Sequence, residues 1–184
     1  MARHVKGVLF GDYVRMLRMR KNVDPSPWLT PDDFVYLRQP VDPMGWYPME
    51  TFERLGLAIL HLIAGGDLEA AHAWGRLTVD RMAARREQLV SPGDPGGTMR
   101  RFNVARSTFF DFDGVWLEEV GPDAALIRID YGMSPPAEEA AAQQTRGFFE
   151  RLLELAGASD IDARFVERSW VTYGPTLLRV TWRA

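Results

Sequence analysis

The sequence contains no cysteine. That absence excludes disulfides, thiolate nucleophiles, iron–sulfur clusters and cysteine-ligated zinc, and it points to a reducing cytoplasm. Lysine is nearly missing. Of 22 basic residues only Lys6 and Lys21 are lysines, and against 25 acidic residues the formal net charge is -3. A field of that sign offers no general attraction to nucleic acid or to an anionic membrane surface. Histidine is confined to His4, His61 and His72, and no two stand four residues apart, so the helix-face pair that ligates a metal is absent. Long apolar runs are missing too. The most apolar window, Leu55 to Gly66, is short of the roughly 20 residues that a membrane-spanning helix needs. Gly7-Val8-Leu9-Phe10 is likewise too short for a signal-peptide core.

What remains is an ordinary globular composition, with 46% hydrophobic and 26% charged residues over 184 positions. A chain of this length buries roughly 70% of its unfolded surface, enough for a core without metals or cross-links. The expectation is one domain over 1–184, helical over 1–110 and sheet-containing over 111–184.

Periodicity divides the chain. Val5 to Phe10 reads as a short strand and Asp12 to Lys21 as a helix, with Tyr13, Met16, Leu17 and Arg20 at helical spacing. Arg15, Arg18 and Lys21 fall on other faces and read as a solvated surface rather than a nucleic-acid patch. Six prolines between Val23 and Pro48 interrupt regular structure. Within that stretch Thr30 is placed to cap a short helix, with Pro31 at its first position and Asp33 favouring its dipole; Phe34 and Leu37 are candidates for burial. Trp28, Trp46 and Tyr47 predict an ordered loop. Pro48 to Ala64 repeats Phe52, Leu55, Ile59 and Leu62 at three and four residues, and Gly65-Gly66 ends that helix. Asp67 opens a second helix to about Val90, burying Leu68, Ala71, Trp74 or Gly75, Met82 and Ala83. The two read as a helical hairpin.

Ser91-Pro92-Gly93-Asp94-Pro95-Gly96-Gly97 reads as a mobile loop. No Gly-Lys-Ser or Gly-Lys-Thr follows it, so the groups that hold a nucleotide phosphate are missing. Thr98 then opens a helix carrying Met99, Phe102, Ala105, Arg106 and Phe109. After Asp113 the period becomes two. Val115 to Val120, a Gly121-Pro122-Asp123 turn and Ala124 to Tyr131 form a hairpin, with Ala125, Ile127, Ile129 and Tyr131 on one face. Ser134 caps a helix that begins at Pro135-Pro136 and closes at Gly157, its inward stripe Phe148, Leu152 and Leu155 with Phe149 beside it. Strands over Ile161 to Val171 and Thr176 to Arg183 end the chain, with Leu178, Val180 and Trp182 facing one way. The fold class is α+β: a helical N-terminal half packed on an antiparallel-containing sheet, in the C-terminal order strand-strand-helix-strand-strand.

Chemistry-bearing constellations are sparse. The carboxylate pairs Asp32-Asp33, Asp111/Asp113, Glu118-Glu119 and Glu138-Glu139 lack a second half for a metal, and no Gly-x-Ser-x-Gly elbow occurs. His61 and His72 lie on successive helices and meet only if both face the same level. Trp74, Phe102, Phe109, Trp116, Tyr131 and Phe148 are the candidate walls of an apolar ligand pocket, although aromatic residues at these spacings more often serve as core.

Several short stretches resemble an uncharacterised myxobacterial paralogous domain-of-unknown-function family. They are Val5-Lys6-Gly7-Val8-Leu9-Phe10, Trp46-Tyr47-Pro48, Gly75-Arg76, the Gly147 to Gly157-Ala158 helix, and Arg179-Val180-Thr181-Trp182. That family is distantly similar in layout to haem-nitric-oxide-binding domains and to vinyl-reductase and vesicle-tethering ligand domains. The resemblance implies helices followed by strand-strand-helix-strand-strand. Haem members use a proximal histidine upstream of the sheet and a Tyr-x-Ser-x-Arg clamp on the porphyrin carboxylates. Here the corresponding stretch is Tyr131-Gly132-Met133-Ser134-Pro135-Pro136, without the arginine, and no histidine follows His72. No cofactor is therefore expected, and the lipid-acylated cysteine of vesicle-tethering relatives cannot exist. The function read from the sequence is a non-enzymatic regulatory or scaffold domain acting through protein contacts, as a homodimer. The alternatives are a sensor enclosing a small apolar ligand between helices and sheet, a haem sensor through His61 or His72, and a nucleic-acid binder through Arg15, Arg18, Arg20 and Lys21.

Overall fold

A computed structural model describes residues 2–83 and 89–184. Two compact units emerge, Met1–Leu68 with Ser107–Phe112, and Glu69–Arg106 with Asp113–Ala184. The fold is α+β, as the sequence predicts.

The first unit opens on a three-residue strand, β1 (His4–Lys6), which pairs antiparallel with β2 (Trp46–Pro48) in the register Val5↔Tyr47. Residues 109–111 lie along it: Lys6 N–H donates to the Phe109 carbonyl at 2.8 Å, and Asp111 N–H to the His4 carbonyl at 3.2 Å. The strand predicted over Val5 to Phe10 stops at Lys6, because helix α1 (Gly7–Met19) begins immediately. Its buried residues Phe10, Tyr13, Val14 and Leu17 stand three and four apart, the helical period. Phe10 stacks on Tyr47 at 4.5 Å and meets Tyr36 edge-on, while Tyr13 stacks on Phe52 at 4.2 Å. These aromatic contacts join α1 to α2 (Phe34–Arg38), β2 and α3 (Met49–Leu62). Gly65 and Gly66, both at positive φ, end α3.

The helix expected from Thr30 starts only at Phe34, and Phe34 and Leu37 are half-buried. Asp33 immediately precedes α2, at the end where negative charge favours the dipole. It is buried, and its carboxylate accepts from Thr30 N–H and Oγ1, Thr51 Oγ1 and both arms of Arg54. The basic face of α1 is structural in part: Arg18 donates to the carbonyls of Leu37 at 2.8 Å, Tyr36 at 2.9 Å and Gln39, closing the C-terminal end of α2. Arg15 pairs with Asp12 at 3.0 Å. Arg18→Ala is expected to lower stability by about 1 kcal/mol, the scale of a partly solvated charged hydrogen-bond set. Arg15→Ala is expected to change stability by less than about 0.5 kcal/mol, as exposed pairs do. Urea melts giving equal values for both would contradict this tether.

The second unit contains α4 (Leu68–Ala83), α5 (Pro95–Ala105), the hairpin β3 (Val115–Val120) and β4 (Ala124–Ile129), α6 (Pro135–Leu155), β5 (Ser159–Glu167) and β6 (Thr176–Arg183). Of the second helix predicted to about Val90, residues 84–88 and the side chain of Ala83 lie outside the described residues, and Leu89 and Val90 are not helical. The run read as a loop is half helix: the Asp94 carboxylate caps Gly97 N–H at 2.7 Å, and Pro95 takes the first helical position. A missing donor there costs nothing, so a proline and two glycines enter a helix that the local sequence argues against. The four-stranded sheet has the order β3-β4-β6-β5, antiparallel throughout. Its inner face carries Val115, Leu117, Ala125, Ile127, Ile129, Leu178, Val180 and Trp182, all buried. The α6 stripe differs from its prediction: Phe149, Leu152 and Leu153 are fully buried, whereas Phe148 and Leu155 are half-buried. Strand β5 starts two residues earlier than predicted and ends at Glu167. Within the first unit α3 packs on α1, and within the second α4 pairs with α6.

Candidate functional site

Each histidine has its own partner. His4 Nδ1 lies 2.6 Å from Asp111 Oδ2, and His4 N–H donates to Asp111 Oδ1. Burial raises the Asp111 pKa, but the His4 amide and ring outweigh it and hold the carboxyl below its usual value. His61 is exposed on α3 and stacks on Trp28 at 4.3 Å. His72 Nε2 lies 2.6 Å from Glu150 Oε2, and its Nδ1 is 4.0 Å from Glu69. His61 and His72, considered together from the sequence, thus have separate partners within separate units.

His72 opens an ion-pair ladder between α4 and α6. Arg76 grips Glu154 with contacts of 2.9 and 2.8 Å, and Arg151 bridges Asp80 and Glu154 at 2.8 and 3.0 Å. Burial raises the Glu154 pKa, yet Arg151 and Arg76 together keep its carboxyl below the usual range. The helices meet where both lack a side chain: a Cβ on Gly75 would overlap the Gln144 carbonyl oxygen, and one on Gly147 the His72 carbonyl oxygen. The ladder is a charge-matched clamp. Among the described residues no group of acidic, histidine or cysteine side chains is arranged to hold a metal ion.

The segment after β4 is closed by a buried carboxylate. Glu138, in the first turns of α6, accepts from the backbone amides of Tyr131 and Met133, both at 2.9 Å. It is 4% exposed. The helix N-terminus favours negative charge there, and Gly132 at φ 69 lets the chain turn both amides onto it. Thr145 Oγ1 donates to the Ala141 carbonyl, so the Tyr131 hydroxyl is the donor in its 2.7 Å contact with Thr145. Nothing in the sequence singled out Glu138 over Glu139, because only the folded loop brings two amides to one of them.

Of the proposed pocket walls, Phe102 and Phe148 meet at 5.5 Å, and Phe102 also contacts Phe149 edge-on at 4.8 Å. Tyr131 is buried against Thr145. Trp74 is half-buried on α4. Trp116 lies on the opposite face of the sheet from Val115 and Leu117, with the Arg128 guanidinium 5.0 Å from its ring and Glu118 completing the group at 3.3 Å from Arg128. Phe109 is buried in the first unit. The sequence did not single out Glu150, nor show what Glu138 and the Gly75/Gly147 pair would meet. Glycines inside strongly helical segments were the one readable signal of close helix approach.

The two edges of the sheet differ. On β3, Leu117 N–H donates to Asn103 Oδ1 of α5 at 3.2 Å. On β5, no backbone hydrogen bond to anything but β6 is found among the described residues.

This arrangement of helices and sheet recurs in solved structures. The chain has the H-NOX fold. A mutant H-NOX of T. tengcongensis superposes with a TM-score of 0.61 at 12% identity over 97% of this chain and 98% of that one. An oxygen-binding H-NOX domain related to soluble guanylate cyclases gives 0.63 at 12% identity, covering 97% and 95%. An Fe(II) unliganded H-NOX mutant from K. algicida gives 0.62 at 11%, covering 97% of each. No protein-family model matches the chain, and no curated protein matches it significantly. No helix among the described residues is long and apolar enough to cross a membrane.

Proposed function

We propose that this chain is a non-enzymatic regulatory domain on the H-NOX fold, cytoplasmic and homodimeric, which acts through protein contacts and uses no haem. The observation that carries the reading is the closure of both places where haem would be held. Helix α5, which precedes the sheet, contains no histidine, and at its centre stand buried Thr98, Met99 and Phe102. The three histidines elsewhere are engaged by Asp111, Trp28 and Glu150. The stretch aligned with the porphyrin-carboxylate clamp lacks its arginine, and its Tyr131 and Met133 amides already receive a carboxylate, that of Glu138. A second carboxylate brought there would meet like charge and no free cation from that motif. These residues do not fit haem.

A second reading, a sensor of a small ligand within the apolar layer, is favoured by Trp182. Its indole N–H is buried and has no acceptor among the described residues, a donor that a bound ligand with one oxygen would satisfy.

One experiment reads both. Purified protein is incubated with haem, gel-filtered and examined by absorption and native mass spectrometry. The expected result is no Soret band in the protein fraction and only the mass of the polypeptide or its dimer. One haem retained per chain overturns the proposal, and a discrete added mass in untreated protein selects the sensor reading.

A further inference from the structure

We propose that the free edge of β5 is the homodimer seam, with a second copy of this chain adding its own β5 antiparallel about Ala163 to make one continuous eight-stranded sheet. The inference rests on the homodimer reading and names its surface. An open strand edge presents a row of unpaired backbone donors and acceptors and is a template for another strand. The β3 edge is engaged by Asn103, and among the described residues no backbone hydrogen bond engages the β5 edge. Irregular pairing with β6 falls at Ser159/Asp162 and at Phe165/Glu167, which leaves Asp162 to Phe165 as a regular run.

The side chains of that run are complementary to themselves. Antiparallel pairing centred on Ala163 sets Asp162 opposite the second copy's Arg164, and Arg164 opposite its Asp162, so the two-fold axis makes the same ion pair twice. Ile161 then faces Phe165. Both are half-buried in the single chain and extend its inner apolar layer, in which Phe165 pairs across β6 with Leu178. Centring one residue either way sets Asp162 or Arg164 against its own copy, which costs rather than stabilises. The charges thus select the register. Within one chain Arg164 is poorly served: its cross-strand neighbour is Arg179, and its ion pair is with Asp162 on its own strand at 2.9 Å. Val166, exposed on β5 just beyond the regular run, adds apolar area to the strand.

The test uses the whole chain, with Asp162→Arg and Arg164→Asp made singly and together, followed by sedimentation equilibrium from about 1 to 300 µM, the range in which a modest interface is read. Both residues are exposed, and circular dichroism confirms folding. The wild type is expected to dimerise. Each single reversal sets four like charges at the seam and is expected to raise the dimer dissociation constant roughly ten- to hundred-fold. An equimolar mixture of the two single variants is expected to recover the dimer as a heterodimer, and the double variant as a homodimer. A merely structural effect of either substitution would not be rescued by mixing. Wild-type protein that stays monomeric overturns both this seam and the homodimer reading. Dimers indifferent to both reversals, or variants that mixing fails to rescue, overturn the seam and leave the homodimer reading standing.

Discussion

Gly147→Ala is expected to destabilise the protein by about 3 kcal/mol, the upper end of overpacking costs, although alanine is intrinsically the better helix former by about 1 kcal/mol. The added methyl would occupy the position of the His72 carbonyl oxygen, which is helix backbone and cannot rotate aside. Relief requires α4 and α6 to separate, and that separation stretches the His72–Glu150 and Arg76–Glu154 contacts along the same seam. Gly75→Ala meets the Gln144 carbonyl from the other helix and is expected to cost as much. Gly11→Ala in α1 is the control. There a Cβ would lie 3.4 Å from a Val41 methyl, ordinary contact, and the expected change is a gain of about 0.5–1 kcal/mol. Thermal melts would show Gly147→Ala lower by roughly 10 °C, given the shift expected per kcal/mol at this size. A melting temperature equal to that of the wild type would refute the close-crossing account.

Asp33→Ala is expected to cost about 3–5 kcal/mol, the penalty for removing one member of a buried ion pair. The carboxylate is 1% exposed and receives five hydrogen bonds, from Thr30 twice, Thr51 once and Arg54 twice. Its loss leaves Arg54 without that counter-ion and the Thr30 amide without an acceptor. The group also sets an acid limit. Burial alone would raise its pKa, but Arg54, then Thr30 and Thr51, outweigh burial and hold the carboxyl far below its usual range. A group depressed on folding contributes fully above its unfolded pKa near 3.9, and that contribution is lost as pH falls toward the folded value. Wild-type stability is therefore expected to decline progressively below about pH 4, and Asp33→Ala to lack this part of the decline. Parallel acid curves for the two proteins would remove Asp33 from the account.

Much of the fold was legible because it rests on local periodicity. The alternation of Leu178, Val180 and Trp182 against Arg179, Thr181 and Arg183 defines β6 and its buried face without reference to any other element. The Pro135-Pro136 start and Gly157 stop bound α6 correctly, since both work through φ and backbone donors alone. The same local reasoning failed at Pro95-Gly96-Gly97, where one aspartate cap and a first-position proline reversed the reading of a breaker. It failed too over Val5 to Phe10, where a strand of three residues passes directly into a helix.

Spacing could not reveal what Gly75 and Gly147 do: both occupy one helix crossing, and Arg76 clamps α6 at Glu154, about two turns beyond Gly147. Glu138, Asp33 and Glu150 were three carboxylates among 25 acidic residues. Their partners lie at separations from 3 to 78 residues, and the longest of these are set only when the chain closes.

By itself the sequence determined the order of the longer helices and of the four C-terminal strands, the inward faces of β4 and β6, and the exclusion of thiol and paired-histidine chemistry, because each depends on residue type or on a repeat of two or 3.6 residues; it read the short strand β2 as loop. Tertiary structure alone decided which carboxylates are buried, which glycines touch backbone, and which sheet edge stays open. Those properties depend on groups far apart in the chain arriving at one place, and no local pattern encodes that arrival.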